Sequence, residues 1–156
     1  MASGLDDLYR DIILDHYRTP RNRGRLEKPD VATQGSNPLC GDEIEVSLMI
    51  RDGRIEDVRF DGKGCSISQA SASMMTESIK GKSLDEAKAL IALFKGMMHG
   101  DETPDVDELG DLESLQGVRK YPVRIKCALL SWSTLLEGIE LHEKSTRAAQ
   151  GSTRTT

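Results

Sequence analysis

Leu5, Leu8, Tyr9, Ile12 and His16 recur at helical spacing, and the pattern stops before Pro20, whose ring pushes the preceding residue out of the helical region. This predicts a first amphipathic helix. From Thr19 to Asn37 the chain is polar and broken by Pro20, Gly24, Pro29 and Gly35, and it reads as a basic loop leading toward a sheet. Ile44, Val46, Leu48 and Ile50 then alternate with Glu43, Glu45, Ser47 and Met49, the period of two that buries one face of a strand. Asp52-Gly53 supplies the positive φ values that a two-residue type I′ hairpin turn needs, and Ile55, Val58 and Phe60 make the return strand. The jump there from odd to even positions predicts a bulge or a strand beginning after Ile55. After Gly62-Lys63-Gly64, Cys65 opens a helix of small residues, Ser66 to Ile79, with Ile67, Ser71, Met74 and Ser78 on one face and Gly81 placed to cap its end. Ser83-Leu84-Asp85-Glu86 has capping-box spacing, and Leu84, Ala87, Ile91, Phe94 and Met98 form the stripe of a third helix ending near Gly100. Pro122 starts the last helix, with the stripe Ile125, Leu129, Trp132, Leu136 and Ile139. After Glu143 the residues turn to Ser, Thr, Gln, Gly and Arg, so a domain over 1–145 with a flexible tail over 146–156 is expected.

The 156 residues suit one domain, and no repeat is visible. Charge narrows the function. The total is -5, but residues 101–114 hold seven acidic and no basic side chains, which leaves +2 for the remainder. The molecule is therefore polarised, with a basic run at Arg18, Arg21, Arg23, Arg25 and Lys28. A sequence pI near 5.3 argues against a generic nucleic-acid binder. No apolar run approaches a membrane span, and Leu5 to Tyr17 is too interrupted by charge for a signal peptide, so a cytoplasmic protein is expected.

Three cysteines make no disulfide framework, which turns them into candidates for chemistry. Cys40 lies in the turn-rich Asn37-Pro38-Leu39-Cys40-Gly41-Asp42, a thiol and a carboxylate two residues apart. Cys65 sits where a glycine-rich turn meets a helix, so unsatisfied N–H groups and the positive end of the helix dipole favour its thiolate. Cys127 falls roughly opposite the stripe of the last helix, which predicts a thiol presented to a second surface. Three thiolates with Asp42 would make a four-coordinate site suited to Zn²⁺, and a labile iron–sulfur cluster is the other occupant such ligands allow. Arg124 and Lys126 would offset its negative charge. Competing motifs fail. Gly81-Lys82-Ser83 lacks the first glycine of a phosphate loop, since position 76 is Thr76, and Gly62-Lys63-Gly64 lacks the third glycine of a dinucleotide site. His16, His99 and His142 are scattered, without helical metal spacing.

Asp15-His16-Tyr17 followed by Pro20-Arg21-Asn22, then Asn37 to Asp42, Gly62 to Ser68 and Val123 to Ala128, resemble in matching order the IscU/NifU-like family, and within it the SufU branch. The resemblance runs from about Leu5 to Leu141. It implies a compact single α+β domain, a small antiparallel sheet of about three strands covered by helices. It also implies the ligand set Cys40, Asp42, Cys65 and Cys127. Lys126, where IscU types have a histidine, and the acidic stretch before Tyr121 match SufU. The Pro122-Val123 segment differs from the chaperone-docking motif of IscU types.

What such a resemblance implies about function is a zinc-dependent acceptor of persulfide sulfur. Its partner is a cysteine desulfurase of the SufS type, and it passes sulfur on to a downstream iron–sulfur assembly scaffold. The alternative is a scaffold on which a [2Fe-2S] cluster is built and transferred with the same ligands. Cys40, in a loop rather than at a helix start, is the thiol expected to accept the sulfur.

Overall fold

The Asp52-Gly53 turn closes the hairpin at the centre of the fold, with φ of 52° and 73° at its two residues. A computed structural model describes residues 3–38, 41–100 and 110–155, and the side chains of 8–38, 41–100 and 110–146. Strand β2 (Asp42–Arg51) pairs antiparallel with β3 (Arg54–Lys63), and β1 (Val31–Asn37) pairs antiparallel with the other edge of β2, in the order β1-β2-β3. The register shifts between Met49, opposite Asp57, and Ile50, opposite Ile55, which leaves Glu56 as the extra residue of a bulge. That bulge turns both Ile55 and Val58 into the core.

Strand β1 departs from the loop expected over Thr19 to Asn37. Its sequence VATQGSN carries one large apolar residue, so neither the period nor the propensity of a strand shows. The reason is tertiary. A helix lies directly on it, and small residues are what fit: a Cβ on Gly35 would collide with Thr134 and Leu130, and Thr33 Oγ1 donates to the Thr134 carbonyl at 2.8 Å.

The helices are α1 (Ser3–Arg18), α2 (Ser66–Ile79), α3 (Leu84–Met98) and α4 (Pro122–Thr155), with a 3₁₀ segment, Gly110–Lys120, ahead of the last. Helix α4 crosses β1 and β2, α2 packs beside it against β3, and α1 covers the outer side of α2. Squeezed between neighbours, α2 buries every residue from Ser68 to Thr76 rather than a single face. Its small residues allow the close approach. Its hydroxyls find partners: Ser71 Oγ donates to the Ala128 carbonyl at 2.6 Å and accepts the Trp132 indole N–H at 3.0 Å. Helix α3 begins at the expected capping box, where Ser83 and Glu86 bond reciprocally, and the Ser83 N–H holds the Glu86 carboxyl below its usual range. Phe94 of α3 stacks on Trp132 of α4 with ring centroids 4.5 Å apart, which joins the outer helix to the core. Helix α4 runs on to Thr155, through the stretch expected as a tail. Among the described residues, no helix is long and apolar enough to cross a membrane.

Candidate metal centre

Three elements end at one corner of the sheet, and each delivers one donor side chain. Asp42 is the first residue of β2, directly opposite Asn37 at the end of β1, so the loop between them closes at the sheet's end. Gly41 takes a positive φ of 69° to make that closure. Cys65 is the N-cap of α2, with extended backbone (φ -69°, ψ 167°), and its carbonyl accepts the Gln69 N–H. No acidic residue occupies the first turn of α2, so the positive end of the helix meets the Asp42 carboxylate that stands at this corner. Cys127 comes from the second turn of α4, where its sulfur lies 3.6 Å from the Val123 carbonyl.

The donor atoms of Asp42, Cys65 and Cys127 all lie within 4.8 Å of one another. Asp42 Oδ1 accepts the Cys65 backbone N–H at 2.9 Å, and its Oδ2 is 3.7 Å from the Cys65 sulfur. Gly64 makes room for this, because a Cβ there would stand 2.5 Å from both Asp42 Oδ1 and Ser68 Oγ. A glycine at position 64 is therefore part of the site, where the sequence pattern shows only a glycine-rich turn ahead of a helix.

Burial differs among the three. Asp42 is 1% exposed and Cys127 fully buried, whereas Cys65 is partly open. The expectation that Cys127 faces a second surface needs correction: α4 is covered by the sheet on one side and α2 on another, so Cys127 and Thr134 are buried although Val123 and Leu141 on the same side of the helix are exposed. Cys40, expected as the fourth ligand, lies outside the described residues. Among the described residues the buried Asp42 carboxylate, set against two thiols, has a backbone N–H but no salt-bridge partner, and the donor set of two sulfurs and one oxygen fits a borderline or soft cation. The residues present fit a metal ion.

Beside this corner opens a groove of about 860 Å³ between α1, the start of α2, the 3₁₀ segment and the start of α4. Ile13, Ile67 and Val123 line it, with Arg10, Lys120 and Arg124 among the residues around it. Tyr121 and Val123 are exposed large hydrophobics at its mouth.

A three-stranded antiparallel sheet under helices, gathering two thiols and an aspartate at one end, defines a small α+β domain with a corner whose donor atoms fit a metal ion. The chain belongs to the NifU-like N-terminal domain family, whose model matches residues 8–128. It is 48% identical over 141 residues to the zinc-dependent sulfurtransferase SufU of Bacillus subtilis, covering 90% of this chain and 95% of that one. It is 45% identical over 138 residues to the iron–sulfur cluster assembly scaffold protein IscU of Streptococcus pyogenes, covering 88% and 86%. The crystal structure of a candidate iron–sulfur cluster assembly scaffold for the SUF system of Fervidobacterium islandicum superposes with a TM-score of 0.79 at 36% identity, covering 83% of this chain and 94% of that one.

Proposed function

We propose that this protein works in iron–sulfur cluster assembly as a zinc-dependent acceptor of persulfide sulfur from a cysteine desulfurase of the SufS type, which it relays to a downstream assembly scaffold. The observation that carries the reading is the convergence of Asp42, Cys65 and Cys127 at the sheet corner. The name of the Bacillus subtilis relative supports zinc over other occupants. Cys40 completes the set: it stands two residues before Asp42, so the chain keeps its Cα within about 7 Å of that ligand's. Bound zinc would hold the thiols as ordered thiolates and mask them until a partner arrives.

The chain's own residues then divide the work. Asp42, bonded to the Cys65 N–H, and Cys127, buried in α4, stay in place. Cys40, on a loop with Pro38 and Gly41, moves at the lowest backbone cost. Its thiolate attacks the terminal sulfur of the desulfurase persulfide. The new bond is Cys40 S–S, the bond broken is the partner's S–S, and the desulfurase leaves as a thiolate, so one persulfide is exchanged for another without net oxidation. Arg124 and Lys126, exposed at the start of α4, provide the positive approach to the corner. Mass spectrometry after incubation with desulfurase and cysteine should find an added sulfur on Cys40. Sulfur on Cys127 instead would overturn the assignment.

The second reading, a scaffold carrying a [2Fe-2S] cluster on the same ligands, is supported by the name of the Streptococcus pyogenes relative. Metal content separates the two.

A further inference from the structure

Among the described residues, one other place brings a histidine together with carboxylates: His16 of α1, Glu77 of α2 and Asp111 of the 3₁₀ segment. His16 is 1% exposed, and its ring is fixed from behind, because Nδ1 lies 2.8 Å from Ser73 Oγ, an oxygen that also accepts the Arg21 backbone N–H at 2.9 Å. That leaves Nε2 facing outward. It meets Asp111 Oδ2 at 2.8 Å and Glu77 Oε1 at 3.8 Å, and one donor atom from each of the three residues lies within 4.8 Å of the other two. Both carboxylates are about half exposed, so the pocket opens to water on the side away from the ring.

Nε2 has at most one hydrogen to give, and Asp111 at 2.8 Å takes it, which leaves Glu77 at 3.8 Å facing a second carboxylate. The neighbouring cation, Arg21, is held by Asp15, its Nη2 bonded at 2.6 Å to that carboxylate, which this contact keeps below its usual pKa range. Its Nε is 3.9 Å from Glu77. With Asp15 and Arg21 cancelling, Glu77 and Asp111 set two carboxylates around the outward ring nitrogen, a group of three donor atoms that one divalent cation would bridge. A ring nitrogen fixed by a hydrogen bond at its other nitrogen is also how histidine is held ready for a metal.

We propose that His16, Glu77 and Asp111 form a second metal site, separate from the sulfur-rich corner, that takes a first-row divalent cation of the Mn²⁺ or Fe²⁺ kind. One nitrogen and two oxygens, open to water, suit such ions and disfavour soft ones such as Cu(I), whereas the thiol corner has the opposite preference. The cation would tie the acidic segment containing Asp111 to α1 and α2. The inference does not depend on what fills the thiol corner.

Mn²⁺ is the probe, because it shuns thiolates and its free form is counted by electron paramagnetic resonance. Titrated into the full chain as purified, about one Mn²⁺ per chain should bind saturably, and Mn²⁺ should raise the thermal midpoint. Asp111→Asn and Glu77→Gln should each weaken Mn²⁺ binding at least about tenfold while the zinc content stays as in the wild type. Glu77→Gln touches no close hydrogen bond of His16, so it decides the matter if Asp111→Asn fails to fold. No saturable Mn²⁺ binding would show a hydrogen-bonded network only, and binding that survives Glu77→Gln would place the ion elsewhere in the acidic segment. Either result overturns the site.

Discussion

At the scale of single residues, the candidate site rests on three side chains whose neighbours fix them: Asp42 by the Cys65 N–H, Cys65 by its N-cap position, and Cys127 by burial in α4. The place of Cys65 was legible in the sequence, since a Gly-Lys-Gly turn ahead of an Ala/Ser-rich run marks both a helix start and a tight approach. The burial of Cys127 was not, because the stripe of a helix shows which face is most apolar and not that a second face is also covered. His16 was less legible still. Its partners Ser73 and Asp111 lie 57 and 95 positions away, so no local spacing brings them together. If the metal is shared among the three described ligands and Cys40, Cys65→Ser should lose zinc and destabilise the fold. A metal present at 100 times its Kd contributes about 2.7 kcal/mol, or roughly 5–10 °C in midpoint for a chain of this size. Calorimetry beside metal analysis checks this, and an unchanged midpoint with full zinc would refute shared ligation.

At the scale of elements, the hairpin, the capping box and the starts of α2 and α4 follow from local chemistry, and each appears where that chemistry predicts. Strand β1 does not, because its identity comes from α4 pressing on it rather than from its own residues. This pairing matters for the site: β1 and α4 meet at Gly35, and α4 carries Cys127 while β1 frames the loop that ends at Asp42. Gly35→Val should force α4 off the sheet, cost about 1–3 kcal/mol by overpacking, and lower zinc affinity although it touches no ligand. Thermal melting with a zinc-competition assay reads both effects. Retained midpoint and affinity would mean that the β1–α4 contact does not position Cys127.

At the scale of the whole molecule, charge is uneven: seven acidic side chains fall within residues 101–114, and the remainder carries +2. Arg10, Lys120 and Arg124 stand around the groove beside the thiol corner, so a partner approaching the corner meets positive charge. Exposed charges act mainly on association rate and are screened beyond about 10 Å at 0.1 M salt. Arg124→Glu should therefore reduce stimulation of the desulfurase with zinc still bound, and wild-type stimulation should fall as salt rises; undiminished stimulation at low salt would move the docking surface elsewhere. Whether the protein relays sulfur or builds a cluster depends on what the thiol corner holds. The most direct measurement is metal and acid-labile sulfide analysis of the protein purified without added metal. About one zinc per chain, no sulfide and no brown colour are expected; iron and sulfide in equal amounts would contradict a zinc-dependent sulfur acceptor.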